Sequence, residues 1–180
     1  MRSERLFIDR VASPIGTVAL VWDDTQVLRA AEFEGYDARM RRLLERHYGA
    51  IEPEAGRAPA ALAEPIAAFF AGEIDAIDAI AVATNGTEFQ QRVWAELRRI
   101  PPGTTTTYGA LAAAIGRPDA CRAVGLANGS NPIPIVVPCH RVIGSNGSLT
   151  GFGGGLDRKR WLLAHEQQFT STATQRRLFA

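Results

Sequence analysis

Two short helices joined by a tight, glycine-containing turn are the feature that most constrains how this chain can fold. Thr107 is placed to cap the first helix, which ends at Gly116. Pro118 and Asp119 open the second helix, and Gly129 closes it together with the Asn-Pro pair that follows. This spacing predicts a helix-turn-helix unit, which is typical of DNA-binding proteins, although short helix pairs are also common in enzymes.

An earlier helix braces this pair. Thr87 and Gln90 have the spacing of a capping box, and apolar residues recur at helical intervals through residues 88–99. The run Pro-Pro-Gly at 101–103 then stops the helix. The sequence therefore predicts three helices in close succession.

The second helix of the pair carries one long cation, Arg122, among small residues. The small residues are Ala120, Ala123, Gly125 and Ala127. Small side chains let a helix come close to another surface, so this helix is suited to lie against a partner.

The first half of the chain has a different pattern. Three strand-like runs form an antiparallel meander over residues 5–11, 17–22 and 27–33. A helix of about three turns follows Tyr36, a second spans 61–73, and IDAIAV (77–82) predicts a further strand. This half is therefore predicted to be a small α/β unit that ends near Gly86.

Charge is unevenly distributed along the chain. The 180 residues have a net charge of +1 and are 46% hydrophobic, enough for one compact domain or two small ones. Residues 1–87 carry 9 basic and 14 acidic residues, whereas residues 88–180 carry 11 and 5. The second half is the basic one, and a basic face favours a polyanionic partner.

The sequence indicates a cytoplasmic protein. Its N-terminus is charged from the start, and no apolar run approaches the roughly 18 residues that cross a bilayer. Cys121 and Cys139 lie far apart, and the histidines form no ligand cluster with them. We therefore expect reduced thiols, no structural metal and no cofactor.

Reactive residues are concentrated in VVPCHRVI, residues 136–143. Cys139, His140 and Arg141 follow one another after residues 133–138, which are predicted to form a buried strand or extended run. A cysteine with apolar neighbours is more often an inert core residue than a nucleophile. A core strand, however, does not ordinarily bury an imidazole and a guanidinium side by side, which favours a reactive thiol.

A cysteine nucleophile needs a base, because a thiol with a pKa of about 8.5 is mostly protonated at neutral pH. His140 is the nearest base, and on an extended strand it needs a bend or a bridging water to reach the cysteine. Glu166, near the end of a predicted helix, is the leading carboxylate to orient His140, with an exposed helix-terminal glutamate as the alternative. Cys121 is interpreted as a small packing residue, and His165 as structural or exposed.

From Thr87 to Glu166 the chain resembles the O6-alkylguanine-DNA alkyltransferases, also named methylated-DNA:protein-cysteine methyltransferases. The PCHRV box carries the resemblance, together with TTYGALAAAIGRPDACRAVGLANGSNP before it and GFGGGLDRKRWLLAHE after it. Upstream the match is weaker: SPIG (13–16), LRAAEFEGY (28–36) and FFAGE (69–73) look like bacterial constitutive members.

The resemblance implies a fold and an activity. It implies an α/β protein with an N-terminal ribonuclease-H-like domain (1–86), a C-terminal, mainly helical winged-helix-like domain (87–170) and a tail (171–180). The implied activity is direct DNA repair, in which the alkyl group of O6-alkylguanine or O4-alkylthymine passes irreversibly to a cysteine of the protein. Such a protein reacts once, needs no cofactor, binds double-stranded DNA and is expected to be a monomer.

Catalytic roles follow residue by residue from the resemblance. Cys139 is the implied alkyl acceptor, activated by His140 through water and by Glu166. Asn131 matches the residue that ties the recognition motif to the reactive-site loop. Tyr108 matches the tyrosine whose hydroxyl meets the guanine ring and helps to compensate the charge of the leaving guanine.

Substrate contacts are implied in the same way. Val142 and Cys139 would read the exocyclic amine of guanine through their main-chain carbonyls, and the main-chain amide of Gly153 would face O6. Phe152 stands where many relatives carry tyrosine, so the apolar wall of the alkyl pocket is kept and a hydroxyl is absent.

DNA contacts are implied for the second helix of the pair. Arg122 matches the residue that enters the base stack from the minor groove and replaces the extruded nucleotide. Ala123 and Ala127 would make flat contact with the narrow minor groove, and Tyr108 would lie beside the flipped base.

Two rival functions stay open at this point. One is a DNA-binding module without chemistry, either a sequence-specific regulator or a lesion sensor; a sensor lacks the acceptor cysteine, which this chain has. The other is a cysteine hydrolase that uses Cys139, His140 and Glu166, for which the sequence offers no obvious oxyanion site.

Overall fold

The computed structural model describes the backbone of residues 5–178 and the side chains of residues 5–170. Its main sheet begins with the predicted meander, β1 (Leu6–Val11), β2 (Val18–Asp23) and β3 (Leu28–Phe33), paired antiparallel. A two-residue strand, β4 (Glu54–Ala55), adds parallel to β1, so the strand order is β3-β2-β1-β4.

Six α-helices occur within the described residues. They are α1 (Asp37–Tyr48), α2 (Ala60–Ala71), α3 (Glu88–Leu97), α4 (Tyr108–Ala114), α5 (Cys121–Gly129) and α6 (Leu156–Leu178). The fold is therefore a mixed α/β fold with a small mixed sheet. None of these helices is long and apolar enough to cross a bilayer.

Both faces of the main sheet are covered, which is why all six residues of β2 are buried. Ala19 and Val21 face Met40 and Leu44 of α1. The alternate β2 side chains belong to the main core, which continues through α2 to α6 and includes Cys139. One continuous core thus connects the two halves of the chain.

Residues 77–82 do not form the predicted strand. Ala76–Ala79 is a 3₁₀ helix, and only Val82 forms an isolated bridge, with Leu28. Ile77 and Ile80 are both buried at a spacing of three residues, which suits the three-residue turn of a 3₁₀ helix. The strand prediction was wrong because a spacing of three residues does not match the two-residue alternation of a strand.

The predicted three-helix arrangement is confirmed. Thr87 and Gln90 form both hydrogen bonds of the capping box that starts α3, and the Thr107 hydroxyl accepts from the amide of Ala110 at the start of α4. α5 begins at Cys121, later than predicted, because Pro118 and Asp119 belong to the preceding turn.

A short parallel ladder links the start of α4 to the chain after the cysteine. It pairs β5 (Thr106–Thr107) with β6 (Val142–Ile143). This pairing places Tyr108, the first residue of α4, next to the reactive stretch.

The last helix is longer than predicted. α6 continues to Leu178, so Glu166 lies within the helix and not near its end, and its side chain is fully buried. The predicted tail at 171–180 starts inside this helix, and its last two residues, Phe179 and Ala180, lie outside the described residues.

Candidate active site

The stretch 131–142 is buried along its whole length and folds as a series of turns. The predicted strand or extended run over 133–138 is absent because the loop is closed on itself: the Val137 amide donates to the Ile133 carbonyl at 2.9 Å. Asn131 holds the loop from inside, donating from Nδ2 to the Val137 carbonyl (2.8 Å) and accepting the Ile133 amide (3.0 Å). Ile135 has φ 75°, a strained conformation for a β-branched residue.

Cys139 is the first residue of a 3₁₀ turn, Cys139–Arg141, and is only 4% exposed. The turn supplies the bend that a strand would have lacked, because consecutive residues no longer point to opposite sides. Burial raises the pKa of the thiol, while hydrogen bonding from Asn131 and the charges of Arg39 and Lys159 oppose this shift. In the resting protein the cysteine is therefore held as a thiol.

His140 and Glu166 form a buried pair, with 2.8 Å between Nε2 and Oε1. Because the carboxylate can only accept, Nε2 carries the proton and Nδ1 of the neutral imidazole is left as a base. Nδ1 is buried and has no hydrogen-bond partner among the described residues. Burial lowers the pKa of His140 despite the neighbouring carboxylate, which keeps the ring neutral at physiological pH.

Arg141 contributes a role that the sequence did not assign. Its Nη2 donates to Glu166 Oε1 at 2.7 Å and its Nε lies 3.0 Å from Oε2, while the Gly103 amide donates to Oε2 at 3.1 Å. Burial alone would raise the pKa of Glu166, but His140 and Arg141 outweigh it and lower the pKa to about 2. The carboxylate therefore stays ionised, and the alternative of an exposed glutamate is excluded by its burial.

Lys159 is a site residue that sequence reasoning missed. It is fully buried, and its Nζ donates to the carbonyls of Val142 (2.6 Å) and Thr150 (2.7 Å). The Tyr108 hydroxyl donates to the same Thr150 carbonyl at 3.3 Å. Lys159 thus fixes the two segments that border Tyr108 relative to each other.

The sequence contained a signal for this lysine. Lys159, Leu162 and Glu166 have the i, i+3, i+7 spacing of one helix face, and all three are fully buried. A charged residue in line with an apolar face is a candidate for a buried polar contact.

Phe152 and Gly153 lie beside the cysteine loop. The Phe152 ring meets the His140 ring edge-on at 6.4 Å and lies 6.1 Å from the ring of Phe33. At Gly153 a Cβ atom would lie 2.6 Å from Cζ of Arg39, so a larger residue would displace the arginine.

Arg39 connects the first half of the chain to this site and was also missed. Its Nη1 pairs with the buried carboxylate of Glu32, and its Nη2 donates to the carbonyls of Gly129 (2.8 Å) and Asn131 (3.0 Å). The arginine therefore holds α1 against the end of α5 and the start of the cysteine loop.

The exposed face of α5 carries Arg122 and Ala123, as the DNA-contact prediction requires, and Leu126, which is 73% exposed. Ala127 is only 3% exposed and packs toward Trp94, whose Nε1 donates to its carbonyl, so its side chain is not available for the predicted contact. Cys121 is exposed and not the packing residue that was predicted, because it lies in the first turn of α5 on the solvent side.

No group of three histidine, cysteine or acidic side chains that could hold a metal ion occurs in the part of the chain that the structure describes. His165, a buried histidine in α6, instead stacks on Trp161 with 4.6 Å between ring centroids, and its Nε2 lies 2.7 Å from the Phe69 carbonyl. It is structural.

Comparison with known proteins agrees with this arrangement. A sequence profile of the 6-O-methylguanine DNA methyltransferase DNA-binding domain matches residues 88–168. A methylated-DNA–protein-cysteine methyltransferase of Salmonella typhimurium is 51% identical over 164 residues, which cover 90% of this chain and 96% of the relative. The chain belongs to the methylated-DNA–protein-cysteine methyltransferase family.

Solved structures of such methyltransferases share the fold. The O6-methylguanine methyltransferase of Mycobacterium tuberculosis has 41% identity and a TM-score of 0.73, covering 91% of this chain and 93% of that one. The M. tuberculosis OGT in complex with DNA has 40% identity and a TM-score of 0.77, covering 91% and 94%. The family predicted from the PCHRV box and its flanks is confirmed, and the match extends into the first half of this chain.

Proposed function

We propose that the protein repairs DNA by direct reversal, moving the alkyl group of O6-alkylguanine, and of O4-alkylthymine, irreversibly to Cys139. The observation that carries this proposal is the buried His140, which follows the cysteine in the chain and donates to Glu166 from Nε2, leaving Nδ1 unprotonated and without a hydrogen-bond partner among the described residues. A neutral histidine in this tautomer can take the proton that a nucleophilic thiol must lose.

The residues of the site supply a path for the thiol proton and a partner for the charge on the leaving guanine. The thiol proton passes through water to Nδ1 of His140, and the resulting imidazolium is stabilised by Glu166. Sγ of Cys139 then forms a bond to the alkyl carbon as the bond from that carbon to O6 breaks. The electron pair moves onto the guanine ring, where the Tyr108 hydroxyl compensates the developing charge. The product is a stable thioether, so the protein reacts once.

Burial of the Cys139 thiol suits a protein that reacts only once. Because burial raises its pKa, Cys139 stays protonated and unreactive until a substrate is bound. Arg141 and the Gly103 amide keep Glu166 ionised, so the histidine is held in the active tautomer throughout.

Substrate recognition is proposed to use the main chain around the cysteine. The carbonyls of Cys139 and Val142 would accept the exocyclic amine of guanine, and the Gly153 amide would face O6. Lys159 supports this assignment because its Nζ donates to the Val142 carbonyl at 2.6 Å and so fixes the position of that carbonyl. Phe152 would form the apolar wall that contacts the alkyl group.

The target atom cannot be reached inside a duplex, so the alkylated base must leave the stack. Arg122 is proposed to enter the stack from the minor groove and fill the gap. Ala123 would let α5 lie close to the groove floor, and Tyr108 would meet the extruded base. The exposure of Arg122 and Ala123 supports these roles, whereas Ala127 is left out because its side chain is buried.

The finer organisation is also part of the proposal. Residues 1–86 are proposed as a ribonuclease-H-like domain, 87–170 as a winged-helix-like domain and 171–180 as a tail. The meander with its crossing helices and the capped helix-turn-helix support this division. The protein is proposed to act as a cytoplasmic monomer on double-stranded DNA.

The test follows a labelled methyl group. A duplex with one O6-methylguanine is mixed with the protein, and intact mass and peptide mapping locate the label. We expect transfer to Cys139 that stops at one methyl group per protein and is abolished in Cys139→Ala. Cys121→Ala is the matched control, because Cys121 is the exposed free thiol and should be dispensable.

Other outcomes would support the rivals. A duplex that is bound but keeps its methyl group would favour a lesion sensor, and strong preference for one undamaged sequence would favour a regulator. Repeated turnover of an ester or amide substrate would favour a cysteine hydrolase.

A further inference from the structure

A groove of about 660 Å³ lies between α1, the start of α3 and α5. Arg42 and Arg46 form its α1 wall, and Ala123, Leu126 and Ser130 form its α5 wall. The groove is separate from the Cys139 site, and the proposed chemistry makes no use of it.

The groove is cationic. Arg39, Arg42 and Arg46 follow the i, i+3, i+7 spacing of one helix face, and no acidic side chain lines the groove. Arg39 is engaged by Glu32 and two carbonyls, whereas Arg42 and Arg46 are exposed and have no ion-pair partner among the described residues. The two arginines therefore form a local cationic surface within residues 1–87, which as a whole carry more acidic than basic side chains.

α5 separates the groove from the active site. Gly125 lines the groove and also lies on the flank of α5 nearest the site, because a Cβ atom there would come within 3.8 Å of the Tyr108 ring. Ala123 and Ser130 are about 140–160° away around the helix, at about 100° per residue. The crest between the two flanks carries Arg122 and Leu126.

The width of α5 relative to the minor groove determines which DNA strand passes over the groove in the protein. A helix is about 10 Å wide and the minor groove about 6 Å, so both DNA backbones must run along the flanks of a helix that enters it. The strand that extrudes its base runs on the Tyr108 side. The opposite strand therefore runs on the side of Arg42 and Arg46. The Arg39 bonds to the end of α5 fix the position of α1 for this contact.

We propose that this groove binds the sugar-phosphate backbone of the strand opposite the alkylated one, with Arg42 and Arg46 as the phosphate contacts. The inference rests on the proposed function only for the placement of α5 in the minor groove. It makes α1, which belongs to the acidic half of the chain, part of the DNA interface.

The test measures binding to an undamaged duplex as a function of salt. The double variant Arg42→Gln/Arg46→Gln should reduce the slope of log affinity against log salt by about 2, because each phosphate contact contributes about 0.9. We expect about a tenfold weaker affinity at low salt. Arg41→Gln is the matched control: it removes an exposed arginine of the same helix that faces a different groove, with Ile8 and Asp37.

A second arm identifies the strand. Neutral methylphosphonates on the strand opposite the lesion should weaken wild-type binding but affect the double variant little, whereas the same change on the alkylated strand should weaken both equally. The proposal is overturned if the double variant keeps the wild-type slope, or if only the alkylated strand distinguishes the two proteins. It is also overturned if the substitutions change self-association in sedimentation and leave DNA affinity unchanged.

Failure of the proposed function would be recognised separately. Methyl transfer to Cys139 is measured with the wild-type protein, and its absence would overturn direct reversal regardless of the salt slopes. With a free O6-alkylguanine base as the alkyl donor, the double variant should react at the wild-type rate, because the groove contacts no reacting atom.

Discussion

The loop at 131–142 is buried along its whole length, whereas the neighbouring face of α5 exposes Arg122, Ala123 and Leu126 to solvent. Beside the loop, Glu166 of α6 accepts from the His140 imidazole, the Arg141 guanidinium and the Gly103 main-chain amide. On α5, no ion pair of Arg122 occurs in the described part of the chain. Chemistry at a thiol needs fixed, dry groups, while a residue that must enter and leave DNA needs to be free of bonds to the protein.

His140→Phe should have the largest effect, because it removes the base and keeps the volume of the ring. We expect single-turnover methyl transfer to slow by about 10²–10⁴-fold, the usual contribution of a positioned base. Affinity for the duplex should be unchanged, since the loop is buried and none of the proposed DNA contacts uses His140. Rapid-quench measurements with a methyl-labelled duplex test this.

His165→Phe is the control for that variant. His165, which lies in α6, is also buried but stacks on Trp161, outside the site. Its loss should lower stability and leave the transfer rate unchanged. Equal slowing in both variants would mean that packing, and not the base, was responsible.

Glu166 should make the stability of the protein depend on pH in the acid range. Its folded pKa of about 2 is below its ordinary value of 4.5, so its stabilising contribution is complete above pH 4.5 and is lost as the pH falls toward 2. A shift of this size corresponds to about 3 kcal/mol at 1.36 kcal/mol per pH unit. Urea unfolding at several pH values measures it.

Other carboxylates also titrate in that range, so the comparison must be made with Glu166→Gln. The variant should be less stable than the wild type at neutral pH because the buried Arg141 loses its counter-charge. The stability difference between the two proteins should shrink between pH 4.5 and 2. A difference that stayed constant with pH would show that Glu166 is not the titrating group.

The two regions also differ in how far the sequence predicted them. The helix pair followed from local signals, Thr107 at the start of α4 and Gly129 at the end of α5, and the cation of α5 was recognised among small residues. The burial of Ala127 was missed because its neighbour Trp94 comes from another helix. Small residues are equally compatible with a surface and with a helix interface.

The loop was predicted less well. Cys139, His140 and Glu166 were identified, but the strand at 133–138 was wrong because Asn131 closes a turn that apolar composition does not reveal. The role of Arg141 depends on residues far apart in the chain. Sequence pattern therefore finds reactive residues, whereas the bonds that hold them come from tertiary packing.

Arg122→Ala should have a moderate effect that is confined to duplex DNA. Without the side chain, the cost of unstacking the base, a few kcal/mol, is no longer offset, so transfer from a duplex should slow by about 10–100-fold. Transfer from free O6-methylguanine should be unchanged, as should the melting temperature. Arg99→Ala, which removes an exposed arginine of the segment after α3, is the control and should leave both rates unchanged.

Phe152→Tyr should have the smallest effect. The ring is half-buried between Phe33 and the edge of His140, and a hydroxyl at its tip adds little volume. We expect the methyl-transfer rate to change by less than about fivefold, because one added hydrogen bond contributes about 1 kcal/mol. Tyr108→Phe, which removes the hydroxyl proposed to compensate the charge of the leaving guanine, should slow transfer by about tenfold. If Phe152→Tyr accelerated transfer as much as Tyr108→Phe slowed it, position 152 would also take part in charge compensation, and its role would not be limited to an apolar wall beside the buried loop.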